Sequence, residues 1–121
     1  AAFLQRGCVV ALDDGEDFLR QQVAKARSNR DLVAGLLGDM PKIRFEIPRG
    51  AFYLFFAIDG MTDSARTTMR IIDEANVGFA PGATFGPGGE GHLRMCFLRD
   101  PAKIEEALGR FHNWLKTAQP D

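Results

Sequence analysis

Cysteine and histidine are scarce in this sequence, and basic charge is not in excess; each shortage removes a class of function. The two cysteines, Cys8 and Cys96, sit in separate apolar runs without the paired spacing of a zinc site. The plain expectation is two buried, reduced thiols in a cytoplasmic protein. Two histidines, His92 and His112, stand too far apart for a local metal site. With so few, and with no serine–histidine–acid set, a self-contained hydrolase is disfavoured. The formal net charge of -1, with no basic patch interleaved with aromatics, argues against nucleic acid as a partner. No apolar run reaches the roughly 18–20 residues of a membrane span, and no stretch reads as a signal peptide.

What remains is ordinary globular usage, 45% hydrophobic and 26% charged, in 121 residues that suit a modest core. Residues 1–12 read as a helix that is apolar nearly all round, through Phe3, Leu4, Cys8, Val9, Val10 and Leu12. Such a helix wants burial on more than one side. Its start, Ala1-Ala2-Phe3-Leu4, reads like a helix interior with no cap before it. Asp13-Asp14 are candidate caps for a long helix reaching about Leu37, with the stripe Leu19, Val23, Ala26, Arg30, Val33 and Leu37. That exceeds the mean helix of about 11–12 residues, as a helix bridging two bodies would.

Ile43, Phe45 and Ile47 alternate with charged residues, as in a half-buried strand. After the turn Pro48-Arg49-Gly50, the run Phe52–Ile58 is apolar on both faces, which suits a strand buried between two layers or beneath a neighbouring domain. A hairpin should join the two. Asp63 or Thr62 can cap a helix over 64–75 with Ala65, Met69 and Ile72 inward, and 77–80 reads as a short strand forming a βαβ-like unit. A strand at 92–98 follows. Asp100-Pro101 then starts a last helix with Ile104, Leu108, Phe111 and Leu115 at helical spacing. The order predicts a mixed α/β (α+β-like) fold, a small sheet packed by helices and preceded by a long connecting helix. The boundaries expected are 1–38 for the two leading helices and 39–121 for a small C-terminal α/β domain.

The least ordinary stretch is 81–94, in which Pro81, Gly82, Gly86, Pro87, Gly88, Gly89 and Gly91 precede a strand carrying one cation, Arg94. This density forbids a helix and implies a turn of special geometry. A phosphate cradle is one reading. However, the run lacks a Gly-Lys-Ser/Thr and leads into a strand rather than a helix, so close backbone packing is favoured. Arg94 also has two readings. It is an edge or strand-end arginine paired with Glu90 or Glu46 or solvated, or its planar fork awaits an anion such as a carboxylate. Tyr53, with Phe52, Phe55 and Phe56, is either core or the lining of a pocket.

Three motifs, taken together, resemble a known family. Pro48-Arg49-Gly50-Ala51-Phe52-Tyr53, the run Val77 to Gly86, and Gly89-Glu90-Gly91-His92-Leu93-Arg94-Met95-Cys96-Phe97 resemble the C-terminal, small domain of class I/II, aspartate-aminotransferase-like enzymes of pyridoxal-phosphate fold type I. Gln5–Leu12 and Arg30-Asp31 fit as well, so the resemblance covers nearly all the chain.

The resemblance implies that Arg94 grips a substrate α-carboxylate and that Phe52 and Tyr53 flank the substrate entrance. It implies amino acid and 2-oxo acid substrates, pyridoxal 5'-phosphate as cofactor of the intact enzyme, and a dimer. Cys96 stands where many members have serine. The family's Schiff-base lysine in its Ser-x-x-Lys-type motif has no counterpart among Lys25, Lys42, Lys103 and Lys116, so no catalytic or cofactor-binding residue is expected in this chain. The chain is expected to be inactive alone and cut from a longer enzyme, its first helix facing a missing large domain. Without that domain, self-association or a homodimer is expected. A β-lyase or related enzyme of the same fold, or a stand-alone module that binds amino acids or oligomerises, are the alternatives.

Overall fold

A computed structural model describes residues 1–118 and residue 120. In these residues the elements run α1 (Ala2–Asp14), α2 (Glu16–Gly38), β1 (Ile43–Phe45), β2 (Tyr53–Ile58), α3 (Ser64–Ala75), β3 (Ala80–Pro81), β4 (His92–Cys96) and α4 (Pro101–Thr117). Two 3₁₀ turns, Gly82–Phe85 and Pro87–Gly89, lie between β3 and β4.

The strands form one sheet in the order β1-β2-β4-β3, with every neighbouring pair antiparallel. The expected hairpin is there, pairing Ile43 with Ile58 and Phe45 with Phe56. The expected βαβ unit is split. β2 and β3 are both antiparallel to β4, hence parallel to each other, but β4 is inserted between them. The glycine-rich loop makes this possible by turning the chain back into the gap.

Period-two alternation gives the sheet two different faces. Leu54, Phe56 and Ile58 of β2 and Leu93 and Met95 of β4 point to the core. There they meet Val33 and Leu37 of α2, Ile71 of α3, and Ile104, Leu108, Phe111 and Leu115 of α4. Edge-to-face rings tie the layers, with Phe79 5.3 Å from Phe56 and 4.9 Å from Phe111 between centroids. The other face carries Tyr53, Phe55 and Arg94 and is open. The doubly apolar β2 is therefore covered on one side by the described residues.

The caps are local and legible. The Asp100 side chain accepts from Ala102 N at 2.9 Å, with Pro101 at the first helical position. Asp63 accepts from Arg66 N at 2.9 Å to start α3, and Asn76 ends it in the left-handed region at φ 53°. The inward face of α3, however, differs from the expected one. Ser64, Thr67, Thr68, Ile71 and Ala75 are buried, whereas Met69 is 58% exposed. Small residues face inward because the helix approaches the glycine-rich loop closely. Thr68 Oγ1 returns its hydroxyl to Ser64 O at 2.7 Å, so its burial costs no unpaired donor.

The leading helices also depart from expectation. Asp13 and Asp14 lie inside α1 and cap nothing; only Gly15 separates α1 from α2. Gly15 N donates to Ala11 O, and a Cβ there would stand 2.1 Å from that oxygen. α1 buries none of its residues, and Leu12 is 85% exposed. Leu19 and Val23 are exposed too, so α2 packs only along its second half, through Asn29, Val33 and Leu37. Cys8 is consequently exposed, and Cys96 is half-buried; both are free thiols, against the expectation of two buried ones.

Candidate functional site

Arg94 sits in the middle of β4, paired across to Phe55 of β2 and to Ala80 of β3. Strand alternation places it on the open face. Its guanidinium carbon lies 4.4 Å from the centre of the Tyr53 ring and 4.0 Å from that of Phe85. Tyr53 comes from the β2 side of β4, and Phe85 from the 3₁₀ turn that follows β3. Cation–π attraction therefore acts from both flanks.

The carboxylates considered for Arg94 are elsewhere. Glu90 Oε1 accepts from Ser64 N at 2.7 Å and from Gly91 N at 2.9 Å. The Gly91 amide first, then the Ser64 amide and hydroxyl, favour the charged form and hold this carboxyl below its ordinary value. Among the described residues, neither Glu90 nor Glu46 pairs with Arg94, and no other carboxylate does. An arginine is charged at any working pH, so this is a planar cation presented on an open surface without a counter-ion among the described residues. Chemically, it can take a planar anion with two parallel N–H donors.

The loop before β4 is packed backbone on backbone. A Cβ on Gly82 would stand 2.0 Å from Gly89 O and 2.5 Å from His92 O, and one on Gly89 would stand 2.0 Å from Gly82 O. Gly86 and Gly91 adopt positive φ, 110° and 77°. Four of the loop's N–H groups are already spent: Ala83 N on Ser64 Oγ, Gly86 N on Ala83 O, Gly89 N on Gly86 O, and Gly91 N on Glu90. A phosphate cradle needs such donors free, so these bonds, with the close Gly82–Gly89 packing, favour the backbone-packing reading.

Phe52 precedes β2 and its ring lies 4.5 Å from that of Tyr53. Phe55 continues the aromatic surface, stacked on His92 at 4.8 Å and edge-on to Phe85 at 6.2 Å. Phe56, by contrast, points into the core. A groove of about 550 Å³ runs alongside, lined by Arg44, Glu46, Tyr53, Phe55 and His92. Among the described residues no group of three or more histidines, cysteines or carboxylates could hold a metal ion, and no helix is long and apolar enough to cross a membrane. The sequence reading gave Phe85 no role; its signal was a lone aromatic inside a glycine- and proline-rich loop.

No protein-family model matches the chain. Individual proteins do. An LL-diaminopimelate aminotransferase of Nitratidesulfovibrio vulgaris is 33% identical over 111 residues, 91% of this chain and 28% of its own length. An aspartate aminotransferase of Pyrococcus horikoshii is 32% identical over 96% of this chain and 30% of its own length. The solved structure of an alanine aminotransferase from Pyrococcus furiosus superposes with a TM-score of 0.86 at 30% identity, covering 91% of this chain and 28% of that one. The chain thus spans under a third of each of these relatives. In sequence and in fold, the chain is similar to the small domain of aminotransferases of pyridoxal-phosphate fold type I.

Proposed function

We propose that this chain is the C-terminal, carboxylate-gripping portion of a pyridoxal-phosphate-dependent aminotransferase that moves an amino group between an amino acid and a 2-oxo acid. The observation that carries this reading is Arg94: a cation on an open sheet face, flanked by rings and without an acid partner among the described residues. A substrate α-carboxylate supplies the missing partner. The resulting two-pronged ion pair fixes the substrate's orientation and converts binding into positioning. Tyr53 and Phe52 border the approach.

The four lysines do not supply a cofactor anchor beside Arg94. Lys25 is on α2, Lys42 precedes β1, and Lys103 and Lys116 are on α4, so none stands on a strand of the open face. The described residues therefore do not by themselves fit pyridoxal phosphate held as a Schiff base. The cofactor and its carbanion chemistry belong to the part of the enzyme that this chain does not span. The exposed apolar strip of α1 and early α2, residues Phe3, Leu4, Val9, Leu12, Phe18 and Leu19, is the surface on which that larger part would rest. The proposed division is 1–38 as connecting helices and 39–121 as the small domain, in a cytoplasmic dimer.

The test is an assay of the complete polypeptide containing this chain, with amino acids as donors and 2-oxoglutarate as acceptor. Transfer of the amino group supports the reading. Release of pyruvate without transfer would instead make it a lyase of the same fold.

A further inference from the structure

We propose that Phe85 and Tyr53 form a two-ring clamp that fixes the plane of the Arg94 guanidinium, so that a carboxylate can engage only along its edge; Phe85 is thereby a positioning residue. This rests on the reading of Arg94 as the carboxylate grip. An arginine in the middle of an open strand face has many rotamers, and a bidentate ion pair uses one orientation of its plane. The two rings lie 4.4 and 4.0 Å from the guanidinium carbon and come from different elements on opposite sides of β4. At these distances cation–π attraction acts on the guanidinium from both rings, and in the proposed clamp they take its flat sides and leave the N–H rim to a ligand.

Neither ring is there to fill the core, for Tyr53 is 38% and Phe85 45% exposed. Both are buttressed. Phe52 packs on Tyr53, and Phe55, itself stacked on His92, meets Phe85 edge-on. The turn that delivers Phe85 is anchored by two side-chain bonds. Ser64 Oγ accepts from Ala83 N at 3.2 Å, and Thr84 Oγ1 donates to Pro81 O at 2.7 Å. Beyond it, Glu90 bridges Ser64 N and Gly91 N. The Gly82–Gly89 contact closes the loop behind the ring. The glycine-rich loop thus has a specific product, an aromatic face held against Arg94.

The experiment uses the complete enzyme with Phe85→Leu, Phe85→Tyr and Arg94→Lys, reading KM and kcat for the amino-acid donor and the inhibition constant of acetate, a bare carboxylate probe. Phe85→Leu should raise both KM and the acetate constant about three- to tenfold, the range one cation–π contact supports, with kcat within about twofold. Phe85→Tyr should restore the parent values. Tyr53→Leu, from a separate element, should reproduce the Phe85→Leu effect. The clamp is overturned if Phe85→Leu leaves KM and acetate inhibition unchanged while Arg94→Lys impairs them. It is equally overturned if Phe85→Tyr is as impaired as Phe85→Leu. Unimpaired Arg94→Lys would remove the grip itself, and the clamp with it.

Discussion

Asn29 on α2 donates from its side-chain amide to Phe97 O at 2.7 Å and to Arg99 O at 2.8 Å, just past the end of β4. Asn29 is 1% exposed, so this amide fastens the long helix to the strand that carries Arg94 from inside the protein. Removing it takes the side-chain donor from Arg99 O and one of two donors from Phe97 O, which Arg99 N still reaches at 2.9 Å; a buried carbonyl left unpaired costs about 1–3 kcal/mol. Asn29→Ala should therefore lower unfolding free energy by about 2–4 kcal/mol in urea titrations of the complete enzyme. A loss under about 0.5 kcal/mol would mean water replaces the amide without cost.

Glu90 links pH to the loop. Its folded-state pKa is held below the ordinary 4.5 by the Gly91 and Ser64 amides. A depressed carboxyl contributes stability that is present above its unfolded pKa and is lost as pH falls through the folded one. Glu90→Ala should lower Tm at pH 7, and the deficit should shrink as pH drops below 4.5. A deficit that is constant from pH 7 to about pH 3 would assign it to packing rather than to the charged hydrogen bonds.

The two glycines in backbone contact should be intolerant, and a neighbour should not. A Cβ on Gly82 meets backbone oxygen at 2.0 Å, whereas one on Gly88 meets nothing within 4 Å. Gly82→Ala should cost about 1–3 kcal/mol or more and weaken substrate binding by displacing Phe85. Gly88→Ala should be near neutral, which thermal denaturation of the two variants side by side would decide.

The apolar strip of α1 gives a prediction for the 121-residue chain alone. Phe3 and Leu12 of α1, and Phe18 of the adjoining first turn of α2, are exposed without a covering layer among the described residues. Sedimentation velocity should show self-association, shifted toward monomer by Phe3→Glu with Leu12→Glu. A monomeric profile for the unaltered chain would contradict the need for a covering partner.

The sequence made some elements plain and others opaque, for physical reasons. The α4 stripe, the Asp63 and Asp100 caps, and the alternation that separates Arg94 from Leu93 and Met95 are local signals, and all are present. The inward face of α3 was misread because hydropathy ranks Met69 and Ile72 above Ser64 and Thr67. Here close approach selects small side chains instead. Asn29 was passed over since a polar residue on a helix reads as exposed until its acceptors, some seventy residues away in sequence, are known. The insertion of β4 between β2 and β3 has no local signature. The ring pair around Arg94 depends on that insertion, so Phe85 could be seen as unusual in the sequence but not placed.

The most direct test of the account is Arg94→Lys in the complete enzyme, followed by kcat/KM for the amino-acid donor and by cofactor absorbance. Lysine keeps the charge but loses the planar fork, so kcat/KM should fall about a hundredfold while cofactor absorbance stays at the parent level. Turnover within about twofold of the parent would contradict the account by removing Arg94 from the substrate site.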